Sequence, residues 1–204
     1  MAETPPLRHE KELWALGFKY VGGIDEAGRG AWAGPVAAAV VVLPADASVR
    51  RPLAGVRDSK LMTPLQRERA ASVIKKEALA WGVGFSSSDE IDSDGILPST
   101  RQAMMRAVEM LPQLPEHLLL DYIHWPGLAN PHLIIPKGER HSLSIAAASV
   151  LAKTVRDALM RDMDIQYPGY GFARHKGYGT AQHRMALDRE GPCAIHRRSF
   201  NIYG

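Results

Sequence analysis

Val21-Gly-Gly-Ile-Asp-Glu-Ala-Gly-Arg-Gly-Ala-Trp-Ala-Gly-Pro-Val-Ala-Ala-Ala-Val-Val-Val-Leu43 places two adjacent carboxylates, Asp25 and Glu26, between apolar chain and a glycine-rich turn. Lys19 to Ile24 reads as a strand. Val36 to Leu43 is a continuous, valine-rich apolar run, the length of a buried strand and too short to span a membrane. Between them Gly28, Gly30, Gly34 and Pro35 force a turn whose backbone a ligand can approach closely. So short a connection makes the two strands an antiparallel pair. Asp25 and Glu26 therefore stand at the mouth of a sheet, where side chains can converge on a ligand while the strands behind hold them rigid.

The rest of the composition bounds the setting. A chain of 204 residues is one domain, or one domain with a small appendage, and buries a substantial core. Its single cysteine, Cys193, excludes an intramolecular disulfide and a thiolate metal cluster, so a reducing, cytoplasmic compartment is the expectation. Met1 to Glu12 is polar, with Pro5 and Pro6, and reads as neither signal peptide nor membrane anchor. The net charge of +3 is unevenly spread: between Arg174 and Arg198 six Lys/Arg face two acids, and the remainder carries −1. A basic end beside an acidic site suits a polyanion gripped in one place and worked on in another.

Taken in order, Glu10 to Trp14 reads as a short helical lead-in and Ala45 to Asp58 as a loop. Thr63, Pro64 and Gln66 open a helix with a capping box, its inward face made of Leu65, Ala70, Val73 and Ile74. Ala78 to Phe85 reads as a strand and Ser86 to Thr100 as a polar connection. In that connection Glu90 to Gly95 imitates a calcium loop, but the first position is Glu and the twelfth, Arg101, cannot close a cage. Arg101 to Leu111 has helical spacing, His117 to Asp121 is an apolar strand ending in a carboxylate, and Leu133 to Ile135 is a further strand. Ser144 to Met163 is a helix with an alanine face for packing on the sheet. Thr180 to Asp188 is a last helix. Strands alternating with helices give a mixed α/β sheet flanked by helices.

Four carboxylates, Asp25, Glu26, Asp121 and Glu139, follow or end strands. Crowded like charges imply a shared proton or a bound cation, and hard oxygen ligands without a Cys/His cluster point to Mg²⁺ or Mn²⁺. Two such ions can activate a water and stabilise the leaving oxygen of a phosphodiester. Gly28-x-Gly30-x-x-Ala33 also follows a strand, as a dinucleotide fingerprint would. A strand comes next instead of a helix, so the fingerprint fails. His175, His183 and His196 read as surface or hydrogen-bonded histidines, and Asp157 and Asp164 as ion-pair partners.

Gly23 to Gly30, Asp58-Ser59-Lys60, the strand ending in Asp121, Lys137-Gly138-Glu139, Ser144 to Lys153, Tyr170-Gly171-Phe172, His175 to Thr180 and His196 to Phe200 together resemble ribonuclease HII, the type 2 ribonuclease H. The match runs in order from about residue 19 to 200. The resemblance implies an RNase H-like fold in residues 19–165, a lead-in over 1–18 and a C-terminal helical extension over 166–204. It implies hydrolysis of the RNA strand of RNA–DNA hybrids and incision on the 5′ side of single ribonucleotides in duplex DNA, leaving a 3′-hydroxyl and a 5′-phosphate. By the family pattern Asp25, Glu26 and Asp121 hold two Mn²⁺ or Mg²⁺ ions. Glu139 stands where the family usually has Asp, and Ala31 where it commonly has Pro.

Only the 2′-hydroxyl distinguishes RNA from DNA at one nucleotide, which suits close backbone approach. By the family resemblance Gly28, Arg29 and Gly30 would read that hydroxyl, with Tyr178 stacking on the sugar of the following deoxynucleotide. Lys60, Lys176, Arg197 and Arg198 are candidate phosphate contacts, the last two reading equally well as structural ion-pair partners. A monomer with no membrane partner is expected. The rival readings are another RNase H-like phosphodiesterase, such as ribonuclease HIII, and a hybrid-binding module with weakened catalysis. Ribonuclease HIII typically adds an N-terminal domain for which too few residues precede the first strand.

Overall fold

The computed structural model describes residues 3–201, so the tip of the expected extension lies outside the described residues. β1 (Val21–Ala27), β2 (Val36–Val42), β3 (Ala80–Ser86), β4 (His117–Asp121) and β5 (His132–Ile135) form one sheet in the order β3-β2-β1-β4-β5. β1, β2 and β3 are an antiparallel meander, and β4 and β5 run parallel to β1 and to each other. The mixed sheet flanked by helices is the architecture expected from the pattern of the sequence.

β1 continues three residues beyond its expected end at Ile24. β2 keeps pairing with it, Ala39 opposite Asp25 and Ala38 opposite Glu26, so the acids lie within the strand and not past it. β2 is buried along its whole length, as an unbroken apolar run requires when both faces of a sheet are covered. On one face Ala39, Val41 and Leu119 meet the alanine-rich side of a long helix, with Ile145, Ala148 and Ala152 fully buried. On the other face Val40, Val42, Leu118 and Leu120 meet Met104, Ala107 and Val108.

The helices are α1 (Arg8–Ala15), α2 (Pro64–Glu77), α3 (Ser88–Asp94), α4 (Ile96–Glu109), α5 (Gly138–His141), α6 (Leu143–Gln166), α7 (Phe172–His175) and α8 (Ala181–Glu190). Thr63 and Gln66 form the expected capping box on α2. Its inward face is narrower than expected: Ala71 and Ile74 are buried, whereas Leu65 and Val73 are exposed. The stretch from Ser86 to Thr100 is not a loop. Ser87 caps α3 and Glu90 returns the bond, and α4 starts at once after Gly95. Glu90 is taken up by Arg106, at 2.6 Å, which settles the calcium-like pattern as a helix start.

Beyond α6 the chain packs back through a small third cluster, in which Tyr170, Phe172, Ala186 and Leu187 close on Met160 of α6 and Ala33 of the glycine turn. Asp92 of α3 anchors the last described segment by accepting from the N–H groups of Arg198 and Ser199, at 2.8 and 2.9 Å. Among the described residues no helix is long and apolar enough to cross a membrane.

Candidate active site

The register of β1 and β4 pairs Ile24 with Leu120. Asp25 and Asp121 therefore follow in step on adjacent parallel strands, Asp121 closing β4 and Asp25 two residues short of the end of β1, and such strands lie about 4.8 Å apart. Glu139 arrives by a different route. Lys137 takes the left-handed conformation (φ +55°) after β5, and this turn aims the N–H of Gly138 at Asp121 Oδ1, at 2.7 Å. Glu139 follows on the single turn α5 and is buried. The four acids expected at one end of the sheet are at one end of the sheet.

Their electrostatics are unfavourable as they stand. Burial holds the Asp25 carboxyl well above the ordinary carboxylate range, and the charges of Glu26 and Asp121 push it further, against a hydrogen bond from Ser149. Burial also raises Glu26, whereas the hydrogen bond and charge of Arg29, at 3.0 Å, pull it down. Glu139 is raised by burial, then by its contact with Asp121 and the charge of Asp58. Oε2 of Glu26 and Oε2 of Glu139 are both buried without a hydrogen-bond partner. Buried carboxylates that repel one another and carry orphaned oxygens fit a divalent cation. Among the described residues no three His, Cys, Asp or Glu side chains already converge as a finished cage.

A cleft of about 700 Å³ opens beside this cluster, lined by Glu26, Gly28, Gly30, Lys60, Lys153 and Tyr178 among others. Arg29, Ser59, Ser149 and Phe200 complete much of its wall. The turn is held from beneath by two wholly buried guanidiniums. Arg156 donates to the carbonyls of Pro35 (2.8 Å), Lys176 (2.9 Å) and Ala33 (3.1 Å). Arg197 donates to those of Gly34 and Arg29. Gly28, at φ +93°, has room for no side chain, since an added Cβ would fall 1.9 Å from Arg156 Nε.

These contacts correct part of the basic set. Arg197 does not face the cleft: it is fully buried, and its desolvated guanidinium, beside that of Arg156, falls to about 9. Its role is to fasten the turn and not to touch phosphate. Lys176 is half-buried with Nζ bent back onto the carbonyl of Ala173. Lys60 and Arg198 are exposed, and Lys60 lines the cleft.

Of the two readings of the three histidines, the hydrogen-bonded one holds and the surface one does not. All are buried, His175 and His183 stack 4.4 Å apart, and His183 Nε2 meets His196 Nε2 at 3.0 Å. His183 Nδ1 bonds the carbonyl of Tyr178, so the cluster supports the strip that carries the aromatic ring. Asp157 is the expected ion-pair partner, bound to Lys153 at 2.7 Å and Arg67 at 3.1 Å. Ser149, Lys153 and Arg156 escaped the sequence reading, although their spacing marks one polar face on an otherwise apolar helix. Lys153 Nζ lies 5.3 Å from the centre of the Tyr178 ring.

Fold and acids together define an RNase H-like phosphodiester hydrolase. The ribonuclease HII family model matches residues 22–203. Ribonuclease HII of Chloroflexus aurantiacus is 50% identical over 198 residues, 96% of this chain and 93% of that protein. Ribonuclease HII of Moorella thermoacetica is 50% identical over 191 residues, 94% of this chain and 91% of its own. Among solved structures, ribonuclease H2 from Pyrococcus horikoshii superposes with a TM-score of 0.74 at 24% identity, covering 89% of this chain and 94% of that one. Bst-RNase HIII in complex with Mn²⁺ shares the fold at a TM-score of 0.66 and 18% identity, covering 90% and 68% of the two chains. The chain belongs to the ribonuclease HII family and is an endonuclease of the RNase H class.

Proposed function

We propose that the protein hydrolyses the RNA strand of RNA–DNA hybrids and cuts 5′ of a single ribonucleotide in duplex DNA, leaving a 3′-hydroxyl and a 5′-phosphate. The observation that carries this reading is that Glu26, the Gly28–Gly30 turn and Tyr178 line one cleft. Glu26 and the backbone able to inspect a sugar oxygen, at Gly28, are two residues apart. Asp25, Glu26, Asp121 and Glu139 would hold two Mn²⁺ or Mg²⁺ ions, and Mn²⁺ is the ion named in the Bst-RNase HIII structure. Such ions supply a water of lowered pKa and neutralise charge on the leaving oxygen.

The chain's own groups prepare that chemistry. Ser149 donates toward Asp25 and is itself bonded to Ser59 Oγ at 2.9 Å, which fixes the carboxylate from below. Arg29 holds Glu26 in place. Gly28, Arg29 and Gly30 would face the 2′-hydroxyl, and Tyr178, backed by the cations of Lys153 and Arg156, would stack on the next sugar. Lys60 and Arg198 would meet phosphates, with residues 166–204 acting as an extension that grips the duplex.

The test is a duplex containing one ribonucleotide, incubated with Mn²⁺ or Mg²⁺ and compared with an all-DNA duplex and a long hybrid. Cleavage 5′ of the ribonucleotide by wild type and none by Asp25→Asn is the result expected. Binding without cleavage by both proteins overturns it in favour of a hybrid-binding module.

A further inference from the structure

Glu10 is wholly buried, on α1, 15 residues before Asp25. Its Oε1 accepts three hydrogen bonds, from Ser142 Oγ at 2.6 Å, Ser144 Oγ at 2.8 Å and Ser144 N–H at 2.9 Å. All three donors belong to the start of α6, whose own cap is Ser142, bonded to the Ile145 N–H. A carboxylate at the N-terminus of a 24-residue helix answers the positive end of its dipole and its unpaired N–H groups. Its Oε2 is buried without a partner, and among the described residues no Lys or Arg is bonded to it, so the start of the helix is what holds this side chain.

The joint fastened in this way is the one that carries Glu139. The Ser142 N–H returns to the carbonyl of Gly138, so the turn Gly138–His141 is closed against the residue Glu10 grips. On its other side the joint touches β1: a Cβ on Gly23 would fall 2.4 Å from the Ser144 carbonyl carbon, two residues before Asp25. Glu139 itself keeps one oxygen without a partner, and its nearest cation, Arg140, stands 4.0 Å away. Little within the turn therefore fixes the direction of that carboxylate.

We propose that Glu10 is a positioning residue, which by clamping Ser142 and Ser144 sets the turn of Glu139 against the strand of Asp25 and so prepares the cation site. The proposal rests on the reading of Glu139 as a ligand. A lead-in helix thereby helps to place a carboxylate, Glu139, more than a hundred residues downstream.

The experiment measures Mn²⁺ binding directly, by the electron paramagnetic resonance signal of free Mn²⁺, on the full chain without substrate. Glu10→Ala and Ser142→Ala should weaken binding about tenfold, the cost usual for groups that orient a ligand. Glu10→Gln, which keeps a carbonyl oxygen where Oε1 stands, should stay within about twofold of wild type, because the clamp survives. Glu139→Ala is the control. Should Glu139→Ala weaken binding while Glu10→Ala and Ser142→Ala leave it unchanged, the positioning role is refuted and Glu139 stands as a ligand. Should Glu139→Ala itself bind Mn²⁺ like wild type, the reading of Glu139 falls, and the proposal with it. If Glu10→Ala does not fold, Ser142→Ala decides alone.

Discussion

Arg197 and Gly34 lie 163 positions apart, yet the Gly34 carbonyl accepts from both Nε (3.0 Å) and Nη2 (2.8 Å) of that arginine. Nη1 continues to the carbonyl of Arg29 at 2.8 Å. Replacing Arg197 with Met removes these donors and leaves two buried carbonyls poorly satisfied. Urea unfolding should show a loss of about 3 kcal/mol, since hydrogen bonds to charged groups are the strong ones. Steady-state kinetics on a ribonucleotide-containing duplex should show a raised KM as the turn loosens.

Removing divalent ions should expose the repulsion among the acids as a pH dependence. Asp25, Glu26 and Glu139 all have folded-state values above their ordinary ones, so the fold favours their protonated forms. Their stabilising contribution is complete at low pH and is lost as pH climbs from the ordinary carboxylate range through the raised values. In EDTA at pH 8, Asp25→Asn should melt a few degrees above wild type, with ~1 kcal/mol corresponding to about 2–4 °C in a chain of this size. At pH 4 the gap should close.

The histidine cluster should act in the opposite sense. Burial lowers His175, His183 and His196, and His183 falls to about 4 with the charges of the other two against it. The unfolded chain takes up protons near pH 6.5 that the folded cluster refuses. The extension should lose stability as pH falls from about 6.5 toward about 4, visible as faster amide exchange around Tyr178. His183→Asn, whose amide can still donate to the Tyr178 carbonyl, should flatten that fall while costing some stability at pH 7.

Two glycines of one turn should separate folding from recognition. Gly28→Ala meets Arg156 and a positive φ, so it should unfold or misplace the turn. At Gly30 an added methyl meets nothing within 4 Å and no positive φ is demanded. Gly30→Ala should melt like wild type while its kcat/KM on a single-ribonucleotide duplex drops at least tenfold, provided a backbone so open serves for close approach of a sugar.

Much of the sheet was legible because its pattern is local. β2 announces itself as an unbroken valine and alanine run, and Asp121 as the carboxylate closing an apolar strand. The end of β1 was misjudged because pairing with β2, and not propensity, decides where it stops. α3 was overlooked although Ser87 and Glu90 spell a capping box, since the acidic run around them reads as loop. Arg197 and Arg198 read alike from sequence, as phosphate contacts or as structural partners, because nothing local tells an inward cation from an outward one. Only the tertiary fold shows that Arg197 goes inward and Arg198 outward. Glu10, Ser149 and Arg156 belong to the same class, polar groups whose partners are distant in sequence.

The grip of Arg156 and Arg197 on main-chain oxygens has an evolutionary corollary. A clamp that holds carbonyls does not itself need a proline ring in the turn, while the burial of Ala31 and Ala33 and the packing of Trp32 against Gly179 still restrict side-chain size there. Ala31 keeps an N–H that bonds the Gly28 carbonyl at 3.3 Å, and curvature at this corner is imposed by two buried cations and not by a rigid ring.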